Sequence, residues 1–174
     1  EILMASSNGR MVRFNEDGVR VMGRSASGVK GINLDGGVLV GMEIAQTDGL
    51  ILTVTEKGYG KKTPLEDYRV TNRGAKGVKT LSITEKTGGL VCLKAIHGDE
   101  DCMIMTDDGV MIRISLSQVS NFGRGAQGVR VIKVDDDKKV SAVTVVDPIP
   151  EEPQEEPGEP EVSEPENTAE ETAE

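Results

Sequence analysis

An all-β, propeller-like fold of about three four-stranded blades is the class this sequence predicts, and three observations predict it. The first is a phrase that occurs three times: Arg24-Ser25-Ala26-Ser27-Gly28-Val29-Lys30, Arg73-Gly74-Ala75-Lys76-Gly77-Val78-Lys79 and Arg124-Gly125-Ala126-Gln127-Gly128-Val129-Arg130, spaced 49 and then 51 residues apart. The second is a turn glycine (Gly9, Gly58 or Gly109) that falls 19 residues before the motif glycine in every copy. The third is the absence of any sustained helical period, against short apolar runs joined by turn residues. A period near fifty residues belongs to propellers and solenoids, where each supersecondary unit buries its open face on the next.

Repeat one, 1–49, opens with a strand over Ile2 to Ser6, turns at Asn8-Gly9 and returns over Arg10 to Phe14. Asn-Gly between two apolar runs is a strong hairpin signal, because both turn residues must tolerate positive φ. Repeat three, 99–146, copies it with Cys102 to Thr106, Asp108-Gly109 and Val110 to Ile114; repeat two, 50–98, has Ile51 to Thr55, Lys57-Gly58 and Tyr59 to Thr63. After each motif, Ile32 and Leu34, Leu81 and Ile83, or Ile132 and Val134 alternate with polar residues and read as a third strand. A turn then leads to Val38 to Val40, Leu90 to Cys92, or Val140 to Ala142 as the fourth. A turn of helix is expected first within 59–71, around Pro64-Leu65-Glu66-Asp67. Gly28, Gly77 and Gly128 are expected at a bulge or a positive-φ position.

Charge divides the chain into 1–146 and 147–174. The second segment carries twelve acidic residues, no basic one and six of the seven prolines. It cannot bury enough apolar surface to offset its ordering entropy and reads as a disordered acidic tail. The net charge of −10 is therefore the tail's, since 1–146 hold all 20 Lys and Arg against 18 Asp and Glu. No apolar run approaches the roughly 20 residues of a membrane span, and Cys92 and Cys102 lack metal spacing, which suits a reducing cytoplasm. The chain starts inside a strand-like run, Glu1-Ile2-Leu3-Met4-Ala5, and reads as the C-terminal part of something longer.

Three alignment columns stay basic. Four residues after the turn glycine stand Arg13, Lys62 and Arg113; fifteen after it, Arg24, Arg73 and Arg124; twenty-one after it, Lys30, Lys79 and Arg130. Blades packed side by side would bring equivalent positions to one rim, giving a basic band, with Lys61, Arg69 and Lys76 added by repeat two. A curved basic band suits the phosphate backbone of a bent duplex, read without sequence preference. No recognition helix and too few aromatic residues for base stacking are present. Solvent-facing strand positions also carry Lys or Arg without purpose, so a propeller-type protein-interaction scaffold stands as the rival reading. Charge reversal at Arg73, Lys76 and Lys79 should weaken duplex binding more than at Lys138 and Lys139.

These phrases resemble the C-terminal domain of the DNA gyrase A subunit. The hairpins Asn8-Gly9-Arg10-Met11-Val12-Arg13-Phe14 and Asp107-Asp108-Gly109-Val110-Met111-Ile112-Arg113-Ile114 carry the resemblance, together with the glycine motifs that follow them. It covers 1–146 and implies the last three blades of a six-bladed β-pinwheel, a propeller relative that exchanges strands between blades. It further implies a rim that wraps double-stranded DNA, a gyrase B subunit in an A2B2 complex, ATP and Mg2+ for the whole enzyme, and a bacterial cytoplasm. The family's Gln-Arg-Arg-Gly-Gly-Lys-Gly box is missing; Asn72-Arg73-Gly74-Ala75-Lys76-Gly77 is its nearest echo. The A subunit of topoisomerase IV, which shares the fold, therefore stays open, although the acidic tail favours gyrase.

No active site and no cofactor site are expected here. His97 is the one histidine, and no Gly-x-Ser-x-Gly, phosphate loop or metal-spaced cluster occurs. Neither Tyr59 nor Tyr68 is assigned the DNA-linking role that the resemblance puts upstream. The tail reads either as a solubilising tether or as a phosphate surrogate on the rim, in which case deleting 147–174 tightens DNA binding.

Overall fold

The computed structural model describes residues 1–149; residues 150–174, and with them most of the acidic segment, lie outside the described residues. The described chain is all-β: β1 (Ile2–Ser6), β2 (Arg10–Phe14), β3 (Leu39–Ile44), β4 (Leu50–Thr55), β5 (Tyr59–Pro64), β6 (Val78–Lys79), β7 (Leu90–Ile96), β8 (Asp101–Thr106), β9 (Met111–Ser115), β10 (Val129–Arg130) and β11 (Val140–Val146). The hairpins fall where the turn glycines predict them. Gly9, Gly58 and Gly109 all adopt positive φ, and in two of the three turns the hydroxyl of Ser6 or Thr106 bonds the amide oxygen of Asn8 or the carboxylate of Asp108.

Strand order shows how the repeats interlock. The first sheet runs β3-β1-β2-β6, the second β10-β5-β4-β7 and the third β11-β8-β9. β6 lies in repeat two and β10 in repeat three, so each of these repeats lends its motif strand to the sheet before it. The pairing is antiparallel, with Arg10 opposite Lys79 and Tyr59 opposite Arg130. The third sheet has three strands among the described residues, and Val29-Lys30, the counterpart of β6 and β10, forms no strand there.

This corrects the strand assignment made after each motif. Ile32, Leu81 and Ile132 are not strand residues but buried plugs. The strand is the Val-basic pair just upstream. The motif glycine explains it: Gly77 and Gly128 have φ of 76° and 83°, and a Cβ there would overlap the carbonyls of Met11 and Gly60 in the preceding sheet. Only glycine combines that backbone with that approach. Short 3-10 turns form at Glu16–Gly18 and Leu116–Gln118 as well as at the expected Leu65–Asp67. Asn15 and Ser115 cap the first and last through their side chains.

Because successive residues of a strand face opposite ways, β4 serves two cores. Ile51 joins Leu3, Ala5, Met11, Leu65, Tyr68, Leu90 and Leu93 between the first two sheets. Leu52 and Val54 join Cys92, Ile96, Cys102, Ile104, Leu116 and Val140 between the second and third. Full burial of each Leu, Ile, Val or Met among them is worth about 1.5–3 kcal/mol. Tyr68 is fully buried, its hydroxyl 2.5 Å from the Thr80 hydroxyl. Burial pushes the Cys92 thiol up to about 12 and the Cys102 thiol up to about 11, so both are unreactive. At the edge away from β6 and β10, β7 packs against β3 and β11, and Lys94 Nζ meets Glu43 Oε1 at 2.7 Å.

Candidate nucleic-acid interface

The strand exchange stacks the three motif loops on one another. The Asn33 amide donates to the Ala75 carbonyl at 2.9 Å, and the Ser82 hydroxyl to the Gly125 carbonyl at 2.9 Å. Arg73 donates through Nε to the Gly18 carbonyl at 2.7 Å and through NH1 to the Lys30 carbonyl at 3.1 Å. Arg124 repeats this one step along, donating to the Lys79 carbonyl at 3.4 Å. The motif arginine thus ties its loop to the previous loop's basic residue. Arg24 is exposed, with no hydrogen-bond partner among the described residues.

Between the loops the seams open as notches. One of about 480 Å³ is lined by Phe14, Gly18, Asn72 and Arg73; the next, of about 540 Å³, by Asp67, Lys79, Gly123, Arg124 and Ala126. Lys30, Lys79 and Arg130 are exposed, and Arg69 is exposed on the chain leading into the second motif. Lys76 is exposed too and pairs with Asp35 at 2.9 Å. Such an open ion pair is worth only about 0–1 kcal/mol.

The column four residues after the turn glycine behaves differently, and here the structure corrects the rim expectation. Arg13 reaches into the next repeat, its NH1 donating to the carbonyls of Leu65 and Tyr68, each at 2.9 Å, while Nε meets Glu1 at 2.6 Å. Lys62 does the same one repeat later: buried, it donates from Nζ to the Leu116 carbonyl at 2.7 Å. Leu65 and Leu116 hold equivalent places in their 3-10 turns. Arg113 bonds Asp101 at 2.7 Å and the Asp147 carbonyl at 2.7 Å. Arg13 and Lys62 are inter-blade straps that satisfy the free carbonyls of a short helical turn, and Arg113 ties down the end of the described chain.

Lys61 is also buried, with Nζ on the carbonyls of Gly123 and Arg124 at 2.7 and 2.8 Å. Its pKa is lowered to about 8, first by burial; Asp67 opposes the shift and Arg124 adds to it. Its role is to hold the third motif loop from beneath. Alternation assigns a strand residue to a face, but it does not say that the next sheet covers that face. That is why the sequence put Arg13, Lys61 and Lys62 on an open rim.

The family described as DNA gyrase C-terminal domain, beta-propeller, matches residues 1–46, 49–91 and 100–147. The DNA gyrase A subunit of Staphylococcus aureus strain MRSA252 is 48% identical over 149 residues, covering 84% of this chain and 17% of that protein. The chain belongs to the family of the DNA gyrase A C-terminal domain. A solved DNA gyrase A C-terminal domain superposes with a TM-score of 0.75 at 24% identity, over 83% of this chain and 50% of that one. The C-terminal domain of DNA topoisomerase IV superposes with a TM-score of 0.78 at 23% identity, over 84% of this chain and 46% of that one. The chain spans about one sixth of the length of the curated gyrase A subunits it matches.

In this gyrase-type domain some exposed cations lie outside the repeat columns. Arg20 and Lys133 are exposed, and Lys86 stands in the turn at Thr84 to Thr87. Lys86 corresponds to Gly37 in repeat one and Asp137 in repeat three, so a search for shared columns passes over it. The acidic turns gather in repeat three, where Lys138 meets Asp137 at 3.4 Å and the Lys139 amide donates to Asp107 at 3.1 Å. No helix among the described residues is long and apolar enough to cross a membrane. No group of three or more His, Cys, Asp or Glu is arranged to hold a metal ion there.

Proposed function

We propose that the stacked motif loops are a duplex-binding surface on which a DNA gyrase A subunit wraps DNA without sequence preference, in support of ATP-dependent negative supercoiling. One observation carries this reading. Consecutive loops are bonded to each other so that Lys30, Lys79 and Arg130 recur along one edge, exposed and without carboxylate partners among the described residues. Arg24, Arg73, Arg124, Arg69 and Lys76 complete the set, and a phosphate can displace the open Asp35 partner of Lys76. Arg13, Lys61, Lys62 and Arg113 serve by fixing the blades rather than by touching DNA. The partner is then the gyrase B subunit in a cytoplasmic A2B2 enzyme, with ATP and Mg2+ used outside this domain.

A salt titration of duplex binding tests the reading. Every phosphate that a variant no longer neutralises lowers the magnitude of the slope of log K against log salt by roughly 0.9, and affinity should grow with duplex length. Lys30→Glu with Lys79→Glu should weaken binding at least tenfold, whereas Lys138→Glu with Lys139→Glu should not. Salt-independent or absent binding would return the domain to the protein-scaffold reading. Equal effects of the two pairs would defeat the assignment of the edge.

A further inference from the structure

The second sheet, where repeat three lends β10 to repeat two, holds a cluster that the repeat columns leave unexplained. Tyr59 begins β5 and stands directly opposite Arg130 of β10, so both side chains leave the same face of the strand pair. The Arg130 guanidinium lies 5.4 Å from the Tyr59 ring centre, and its NH2 donates to the Tyr59 hydroxyl at 3.1 Å. Lys86 brings its ammonium to 5.4 Å from the same ring. Both distances suit cation–π attraction, yet two like charges now share one ring.

Nothing among the described residues neutralises them. The ion pairs formed there involve neither Lys86 nor Arg130. The Glu56 carboxylate is occupied by the Gly89 amide at 2.8 Å, and Lys57 takes the Asp136 carbonyl at 2.8 Å. The Tyr59 hydroxyl accepts from Arg130, and its own proton has no acceptor among the described residues. A guanidinium, an ammonium and a phenol O–H therefore converge with donors to spare, and an oxyanion is the ligand such a set lacks. The phenol is also more acidic than usual, chiefly through the Arg130 hydrogen bond, with burial opposing. In the first sheet Arg10 holds the place of Tyr59 and stands opposite Lys79, but its guanidinium is already engaged by the Gly77 carbonyl at 3.1 Å.

We propose that Tyr59, Lys86 and Arg130 form a phosphodiester cradle, a discrete anchor for the duplex at the junction of repeats two and three in the second sheet. The proposal rests on the duplex-binding reading above and adds Tyr59 and Lys86 to its contacts. A nucleic-acid phosphate fits better than a free one because Arg130 ends the series begun by Lys30 and Lys79. A backbone that follows those two reaches the cradle next.

The test uses the full chain, its Lys86→Ala and Tyr59→Phe variants, and Lys139→Ala as an exposed control. Lys86→Ala should bind duplex several-fold more weakly at low salt and lower the magnitude of the salt slope by roughly 0.9. Tyr59→Phe keeps ring and charge, so it should weaken binding with the slope unchanged. Lys139→Ala should match the parent. Parental affinity and slope in both Lys86→Ala and Tyr59→Phe, with duplex binding intact, would overturn the cradle and leave the wrapping reading standing. If the parent binds no duplex, the wrapping reading fails, and inorganic phosphate decides the cradle alone. The chain has two tyrosines; Tyr68 is fully buried, and Tyr59 keeps 7% of its surface exposed. Phosphate-induced shifts of the Tyr59 ring resonances that vanish in Lys86→Ala support the site; ring resonances that ignore phosphate overturn it.

Discussion

Lys61 places an ammonium group beneath the third motif loop, on two backbone carbonyls and away from water. Burial is the main reason that its pKa falls from 10.5 to about 8. The folded chain therefore binds fewer protons than the unfolded chain between those values, and stability rises with pH across that window. The gain is complete above about 10.5 and lost as pH falls through about 8. A neutral amine still donates N–H, so the carbonyl bonds survive deprotonation. Urea melts of the parent and Lys61→Met at about pH 7.5, 9 and 10 should show their difference moving in the parent's favour as pH rises. A difference constant with pH would mean that Lys61 keeps its solution pKa. The sequence displayed Lys61 and Lys62 only as two adjacent cations on a strand. Adjacent strand residues face opposite sides, and on a blade covered by neighbours on both sides neither faces water.

Two-residue strands are too short to show a period, and the exchange between repeats rests on them. The hairpins were legible because turn glycines punctuate alternating runs over five or six residues. β6 and β10 were not, because Val78-Lys79 and Val129-Arg130 carry no pattern apart from their motif, and the apolar residues that follow drew the strand assignment. What anchors the lent strand is the motif glycine, and its three copies provide an internal control. Gly28, Gly77 and Gly128 share a positive φ, but a Cβ at Gly28 meets nothing within 4 Å, whereas at Gly77 or Gly128 it overlaps a carbonyl of the preceding sheet. Gly28→Ala should then cost only the left-handed backbone term, about 1–2 kcal/mol. Gly77→Ala and Gly128→Ala should cost clearly more, and Gly128→Ala should free β10, raising amide exchange at Gly60 and Val131. Equal costs in denaturant melts at all three positions would show that close approach to the preceding sheet contributes nothing.

On the scale of the whole molecule, residues 1–146 are nearly neutral, so their net charge supplies little of the attraction that the proposed duplex binding needs. Screening within about 8 Å at physiological salt leaves only local clusters effective. The clusters here are periodic, one per seam, because each of the second and third motif arginines bonds the backbone of the previous loop. On the proposed wrapping reading, anchors fixed on successive blades ask the duplex to follow a curve. Smooth bending of a roughly 20–30 base-pair site by 40–90° costs of order 1–6 kcal/mol, and that cost must come out of the phosphate contacts. DNA already curved to the required path spares it. A small covalently closed circle or a phased A-tract duplex should therefore bind about tenfold or more tightly than straight DNA of the same length and charge. The advantage should persist as salt rises, because bending energy, unlike counterion release, does not depend on phosphate neutralisation. Equal affinity for curved and straight duplexes would mean that DNA crosses the edge without following it, and the anchors would then act singly.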